Sequence, residues 1–344
     1  MANYSIDYFG LIIDGTKTST SKTNPIEQFA VAFRAGNVEE ALKIFDENNL
    51  DGDMLVEKDG IGANCILGAL LHDHASWYEK DKKKDPALVA KRVEILQRII
   101  SNKKNKSVNF VKKSSSQGAN LNNYTPLMYA LYAGIPELVA AFAARKDIDI
   151  NYQAERPALI RGTEQVSAFS IALDNALTSI EGFECLALLL KNNDLYLYAK
   201  VNDKRQLDLL NDKRDELKAL VEQELKAKKE KLSQSPYLER ARAFDLAELK
   251  FKSLEKPVMP ERPKGFVFGK KKKAFEAAEA DYLKKNKEYE AAKGKYLGCK
   301  AAKEEYEKQQ AAYEAEQTRL EKLFQFVELA AKGDIKETAS KGKQ

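Results

Sequence analysis

The chain has 344 residues, of which 44% are apolar and 32% charged, and its formal net charge is +5. That length accommodates two domains of ordinary size, and so mild a positive balance does not argue for nucleic acid or acidic lipid as a partner. The three cysteines, Cys65, Cys185 and Cys299, are far apart and form no CxxC pair, which speaks against a disulfide framework and for a reducing, cytoplasmic compartment.

Two further exclusions concern membranes. The one apolar run near the start, Tyr8 to Ile13, is flanked by Asp7 and Asp14, so no signal peptide is expected. No stretch approaches the ~20 apolar residues that span a bilayer. Residues 1–24 read as a leader that ends in the polar run Thr16 to Asn24, whose Ser and Thr favour a solvated connector.

From 25 to 204 the sequence repeats a helix–glycine–helix outline about four times. The first copy is Phe29 to Gly36 followed by Val38 to Phe45. The second opens at Asn64-Cys65-Ile66-Leu67-Gly68-Ala69-Leu70-Leu71 and is interrupted by His72 to Pro86. It continues through Leu88 to Ile100 and closes at Ser107-Val108-Asn109. The third is the clearest: Thr125-Pro126-Leu127-Met128-Tyr129-Ala130-Leu131-Tyr132-Ala133-Gly134, then Pro136 to Ala144, then Asp147 to Asn151. Here Thr125 can cap a helix that begins with Pro126, where a missing N–H costs nothing, and Gly134 can end it in left-handed backbone. A fourth copy opens at Ser167-Ala168-Phe169-Ser170-Ile171-Ala172-Leu173 after the insertion Tyr152 to Val166, and its second helix is Phe183 to Leu190.

These residues resemble the ankyrin repeat, with its T-P-L-H-x-A opening, inter-helix glycine and closing D-[VI]-N. Met128 stands where the family has His, and Gly68 where it has Ala. The resemblance covers about half the chain. It implies a solenoid whose non-constant positions meet a protein partner. In this register Cys65 takes the core place of Leu127, and the partner-binding positions are Arg34, Leu70, Tyr132 and Asp174, with Tyr124 on the preceding turn. Tyr and Arg suit such a surface because they bury area while keeping a polar tip.

Residues 205–332 change to heptads. The stripe Leu210, Leu217, Val221, Leu225 and Leu232 marks a first arm that runs to about Leu254 and is broken at Ser233-Gln234-Ser235-Pro236. In a second arm Phe275, Tyr282, Tyr289 and Tyr296 fall seven apart, with Ala278, Ala292 and Cys299 between them. The seam slips by three and resumes at Tyr306, Tyr313, Leu320 and Val327. The proline-rich bend near 256–269 predicts an antiparallel coiled-coil hairpin within a monomer; pairing of the heptads between chains in a dimer is the alternative. A polar tail, 333–344, follows. The expected class is all-α: a short degenerate solenoid, then a helical hairpin.

The hairpin tip offers a second contact. Phe266 and Phe268 beside Lys270, Lys271, Lys272 and Lys273 can enter a lipid interface weakly or a partner groove; the favoured reading is that the two rings cap the hairpin's own core and the lysines form a solvated first turn. An alternative enzyme reading places a thiol and its base at Cys65 and His72, and His72-Asp73-His74 hints at a metal without further ligands nearby. No phosphate-binding glycine loop or zinc-protease motif occurs, so neither cofactor nor metal is expected. The short, degenerate repeats beside a Lys/Glu-rich helical region, with the acidic stretch Glu304 to Glu321, are similar to ankyrin-containing effectors that intracellular bacteria export by type IV secretion. That resemblance implies a virulence factor acting on a host protein in host cytoplasm, by protein–protein interaction rather than catalysis.

Overall fold

The computed structural model describes residues 25–50, 55–58, 62–72, 78, 80–111, 124–157, 163–262 and 269–333. It is mostly helical, and its elements divide into two compact units. Unit 1 comprises residues 1–221 and 322–344, and unit 2 comprises residues 222–321. The expected boundary at 204/205 therefore moves to Val221/Glu222, and the chain returns to unit 1 at Lys322.

Unit 1 is built from helix pairs: α1 (Pro25–Ala35) with α2 (Val38–Glu47), α3 (Ile66–His72) with α5 (Pro86–Ser101), α6 (Pro126–Ala133) with α7 (Pro136–Ala143), and α8 (Ala168–Ala176) with α9 (Ile180–Leu190). The short α4 (Lys80–Lys82) lies in the interruption between α3 and α5. Helices α2, α5, α7 and α9 pack in succession, as do α3, α6 and α8. The turn glycines follow from backbone geometry. Gly36 and Gly134 sit at φ +66° and +64°, a left-handed conformation that a Cβ disfavours.

Three helix openings share one cap. The Thr125 hydroxyl accepts from the Met128 N–H (3.3 Å), the Ser167 hydroxyl from the Ser170 N–H (3.1 Å), and the Cys65 thiol from the Gly68 N–H (3.2 Å). Each satisfies a first-turn donor that has no intrahelical acceptor. This corrects the expected register: Cys65 is the counterpart of Thr125, not of Leu127. Two hairpins lead into these caps, β1 (Leu55–Lys58) with β2 (Gly62–Cys65) and β3 (Gln153–Pro157) with β4 (Thr163–Ser167). Thus the insertion expected at Tyr152 to Val166 holds an antiparallel strand pair, and Cys65 and Ser167 end the second strands, β2 and β4, of their respective hairpins. A third hairpin, β5 (Lys200–Val201) with β6 (Lys204–Arg205), precedes α10 (Gln206–Ser233).

Neighbouring pairs are tied by side chains that bond carbonyls at helix ends. Arg92 of α5 donates from Nε and Nη2 to the Phe33 and Arg34 carbonyls at the end of α1 (3.3 and 2.6 Å). Asn175 of α8 donates to the Leu131 and Tyr132 carbonyls at the end of α6 (2.6 and 2.9 Å). The last carbonyls of a helix lack intrahelical donors, so an unlike side chain from the next pair does the same work at both ends.

In unit 2, the end of α10 is followed by α11 (Leu238–Arg242) and α12 (Phe244–Lys252), which share the unit with most of α13 (Lys270–Ala331). The break expected at Ser233 to Pro236 falls between α10 and α11. Contacts run in opposite chain order, as antiparallel helices require. Lys228 pairs with Glu316 (2.6 Å), Ser235 donates to Gln309 (2.7 Å), Lys303 sits 4.4 Å above the Phe244 ring, and Phe251 packs against Tyr296 and Tyr289. Ala292 and Cys299 are buried on this seam, whereas Ala278 is exposed and leaves it.

Candidate interaction surface

The corrected register decides which residues share a surface position. Counting from the cap, Tyr132 corresponds to Asp174, to His72 and, through the turn glycines Gly36 and Gly134, to Arg34. Tyr132 is 46% exposed, Asp174 is exposed and Arg34 is half-buried, with its Nε donating to the Ala30 carbonyl (3.3 Å). All three stand at the last turn of a first helix.

Leu70 does not belong to this row. It is buried and corresponds to Ala130 and Ala172, which are core residues. The expected register puts the cap position at residue 63, two residues before the cap that Cys65 forms, because a thiol is a weak cap signal. Tyr124 also falls inside. It is fully buried, with its ring 5.6 Å from that of Tyr129, so it is a core aromatic rather than a surface anchor. His72 ends α3 at the row position. Asp73 and His74 lie outside the described residues.

A second set of bonds runs along the closing loops. Asn109 donates to the Asp147 carbonyl (2.6 Å) and accepts from the Asp149 N–H (2.8 Å). Asn151 repeats this with the Asp194 carbonyl (2.7 Å) and the Tyr196 N–H (2.8 Å). An asparagine side chain supplies both a donor and an acceptor, so one residue can satisfy two backbone groups of the next loop. Sequence reading found both asparagines as closing residues but not their role as ties. Beyond them, the rings of Tyr196 and Tyr198 lie 5.9 Å apart, 51% and 41% exposed.

Cys65 has the properties of a structural thiol. It is buried, donates to the Ser107 carbonyl (3.8 Å), and burial pushes its pKa up to about 11. A nucleophilic cysteine needs a thiolate favoured near neutral pH and open to substrate, the reverse of this arrangement. The thiol of Cys185 is also buried and pushed up, by desolvation first and by Glu184 next. Among the described residues no group of His, Cys, Asp and Glu is placed to hold a metal ion.

At the bend expected between the two arms, Phe266 and Phe268 lie outside the described residues. Lys270, Lys271, Lys272 and Lys273 form the exposed first turn of α13, where Lys272 approaches Glu276 (3.8 Å). No helix among the described residues is long and apolar enough to cross a membrane. Unit 2 also carries a groove of about 540 Å³ lined by Lys228, Leu232, Tyr313 and Glu316. There the Glu316 carboxyl is held down to about 2 by its hydrogen bond to Arg319 and, against the cost of burial, by Lys228.

Comparison with protein-family models, with curated proteins and with solved structures gave no match to this chain.

Proposed function

We propose that this chain is a non-catalytic binding protein: a degenerate ankyrin-type stack that meets a protein partner, carrying an antiparallel coiled-coil hairpin. The observation that supports this reading is the periodic tie. Asn109 and Asn151 bond equivalent backbone groups in the next loop, and the same periodicity delivers Arg34, Tyr132 and Asp174 to one row. A stack of this kind spends its constant positions on packing, and its exposed row is left for recognition. The resemblance to exported bacterial effectors makes a host cytosolic protein the partner to look for.

The test is affinity capture from eukaryotic cell lysate with the full chain, quantified by mass spectrometry. A double variant, Tyr132→Ala/Asp174→Lys, removes the row, and Lys271→Glu/Lys272→Glu changes the first turn of α13. Loss of a captured protein by about tenfold in the first variant alone supports the row as the contact. Loss in the second alone moves the contact to the hairpin tip, and equal capture by all three proteins rejects both surfaces.

A further inference from the structure

We infer that unit 1 contains a fifth helix pair, split in sequence, and that unit 2 is an insertion between its two helices. The first half is the β5–β6 hairpin with the opening of α10. As Cys65 ends β2 and Ser167 ends β4, Arg205 ends β6, and the helix begins at the next residue in every case. The residues that follow, Ile66, Ala168 and Gln206, are all buried, as are Leu70, Ala172 and Leu210 four positions further on.

The side-chain cap is absent here, and backbone carbonyls of the preceding segment take its place: the Gln206 N–H donates to Ala199 (3.0 Å) and the Leu207 N–H to Leu197 (2.8 Å). Arg205 grips Asp208, three residues on, through Nε and Nη2 (2.7 and 2.8 Å), at the spacing where Ser167 meets Ser170. The turn of this hairpin has Asn202 and Asp203 at φ +51° and +67°, the left-handed pair that a two-residue hairpin requires. Asn202 also exchanges two hydrogen bonds with the Gln165 backbone, both 2.8 Å, which ties the third hairpin to the β3–β4 hairpin before it. Asp212 then falls at the position held by Tyr132 and Asp174.

The second half is the end of α13. Phe324 stacks on Phe183 of α9 with 6.5 Å between ring centroids, and Lys191 lies 5.9 Å from the Phe326 ring. Aligning Phe324 with Phe183 matches Val327 to Leu186 and Ala330 to Leu189, and in α7 to Val139 and Phe142. All six are fully buried. It also matches the last helical residues, Ala143, Leu190 and Ala331. A stack leaves the apolar side of its final pair uncovered unless something closes it. Here the cover for α9 comes from a segment far away in sequence, so the chain between the two halves is free to be long. In the loop after α9 the register places Tyr198, not asparagine, where the loop after α7 has Asn151, and the Tyr198 hydroxyl would lie 3.5 Å from a Cβ added at Gly333, just past the end of α13.

The consequence is that protection of α9 depends on residues after 321 and not on the interior of unit 2. Hydrogen exchange with mass spectrometry on the full chain tests this. With Val327→Asp, amides of residues 183–198 are expected to exchange at least tenfold faster, while α1 and α2 keep their wild-type rates. Ala292→Asp, on the seam of unit 2, is expected to leave 183–198 unchanged. Should Val327→Asp prevent folding altogether, Val327→Ala gives the same pattern at smaller amplitude. Wild-type exchange of 183–198 in both Val327 variants overturns the inference, and so does equal acceleration by Ala292→Asp.

Discussion

The two units solve the same problem, covering amphipathic helices, at very different densities. Unit 1 withdraws large side chains completely: Phe29, Tyr124, Tyr129, Phe142, Phe169 and Phe183 are all buried, and buried polar groups such as Arg92 and Arg145 reach backbone carbonyls. Among the described residues of unit 2 the buried apolar side chains are Ala247, Ala292, Cys299, Ala302 and Leu320, while Leu246, Leu249, Leu283 and Leu297 remain more than half exposed. Helices in layers surround each other's apolar stripes, whereas two helices side by side can cover only one narrow seam each. The comparison teaches that unit 1 tolerates little change of volume. Unit 2 relies on local helix stability and on polar pairs between its arms.

The largest expected effect that would sharpen this contrast is Gly182→Ala. A Cβ at Gly182 would meet the Asn175 carbonyl oxygen at 2.3 Å and its carbon at 2.5 Å, and these are backbone atoms with no rotamer to yield. Overpacking of this kind costs on the order of 3 kcal/mol, and thermal melting followed by far-UV circular dichroism should show unit 1 unfolding at markedly lower temperature. By contrast, Gly294 and Gly298 in unit 2 have nothing within 4 Å of an added Cβ. Alanine there adds helix propensity, so a gain of about 0.5–1 kcal/mol each is expected from the same measurement. A Gly182→Ala protein that melts with the wild type would break the comparison.

Next in size is Arg92→Met. The guanidinium is buried, pairs with Asp81 at 2.7 Å and bonds the Phe33 and Arg34 carbonyls. Methionine roughly keeps the stem but leaves a carboxylate and two carbonyls without their donor, at a cost of about 2 kcal/mol. Chemical denaturation should register that loss; a shift below 0.5 kcal/mol would mean the three acceptors find water.

Much of this was legible in the sequence, for reasons that differ by position. Thr125-Pro126 and Gly134 announce a helix through local backbone chemistry, so α6 appeared where they placed it. The heptad positions Tyr289, Tyr296 and Leu320 announced the seam of α13 by period alone. The same local rules failed at Cys65, because a thiol in a cap position does not look like Ser or Thr, and the slip carried Leu70 with it. The split fifth pair was illegible for a deeper reason. Its halves, Arg205–Leu210 and Phe324–Ala331, recognise each other's surroundings only in three dimensions, and no window of sequence contains both.

The smallest predicted effect concerns how unit 2 depends on polar pairs. Glu316 accepts from Arg319 Nε at 2.8 Å and from Lys228 at 2.6 Å, and its carboxyl is held well below the ordinary glutamate value, to about 2. Its partner Lys228 pays for burial but is raised overall by Glu316 and Glu224. A carboxyl whose folded pKa is depressed contributes stability above its unfolded pKa, near 4.5, and loses that contribution as pH falls toward 2. Glu316→Gln should therefore melt below the wild type at pH 6, by a margin on the order of 1 kcal/mol, and the two curves should converge between pH 4.5 and 2. A gap that persists unchanged at pH 2 would assign the loss to packing of the glutamate stem, and unit 2 would then resemble unit 1 more closely than its exposed leucines suggest.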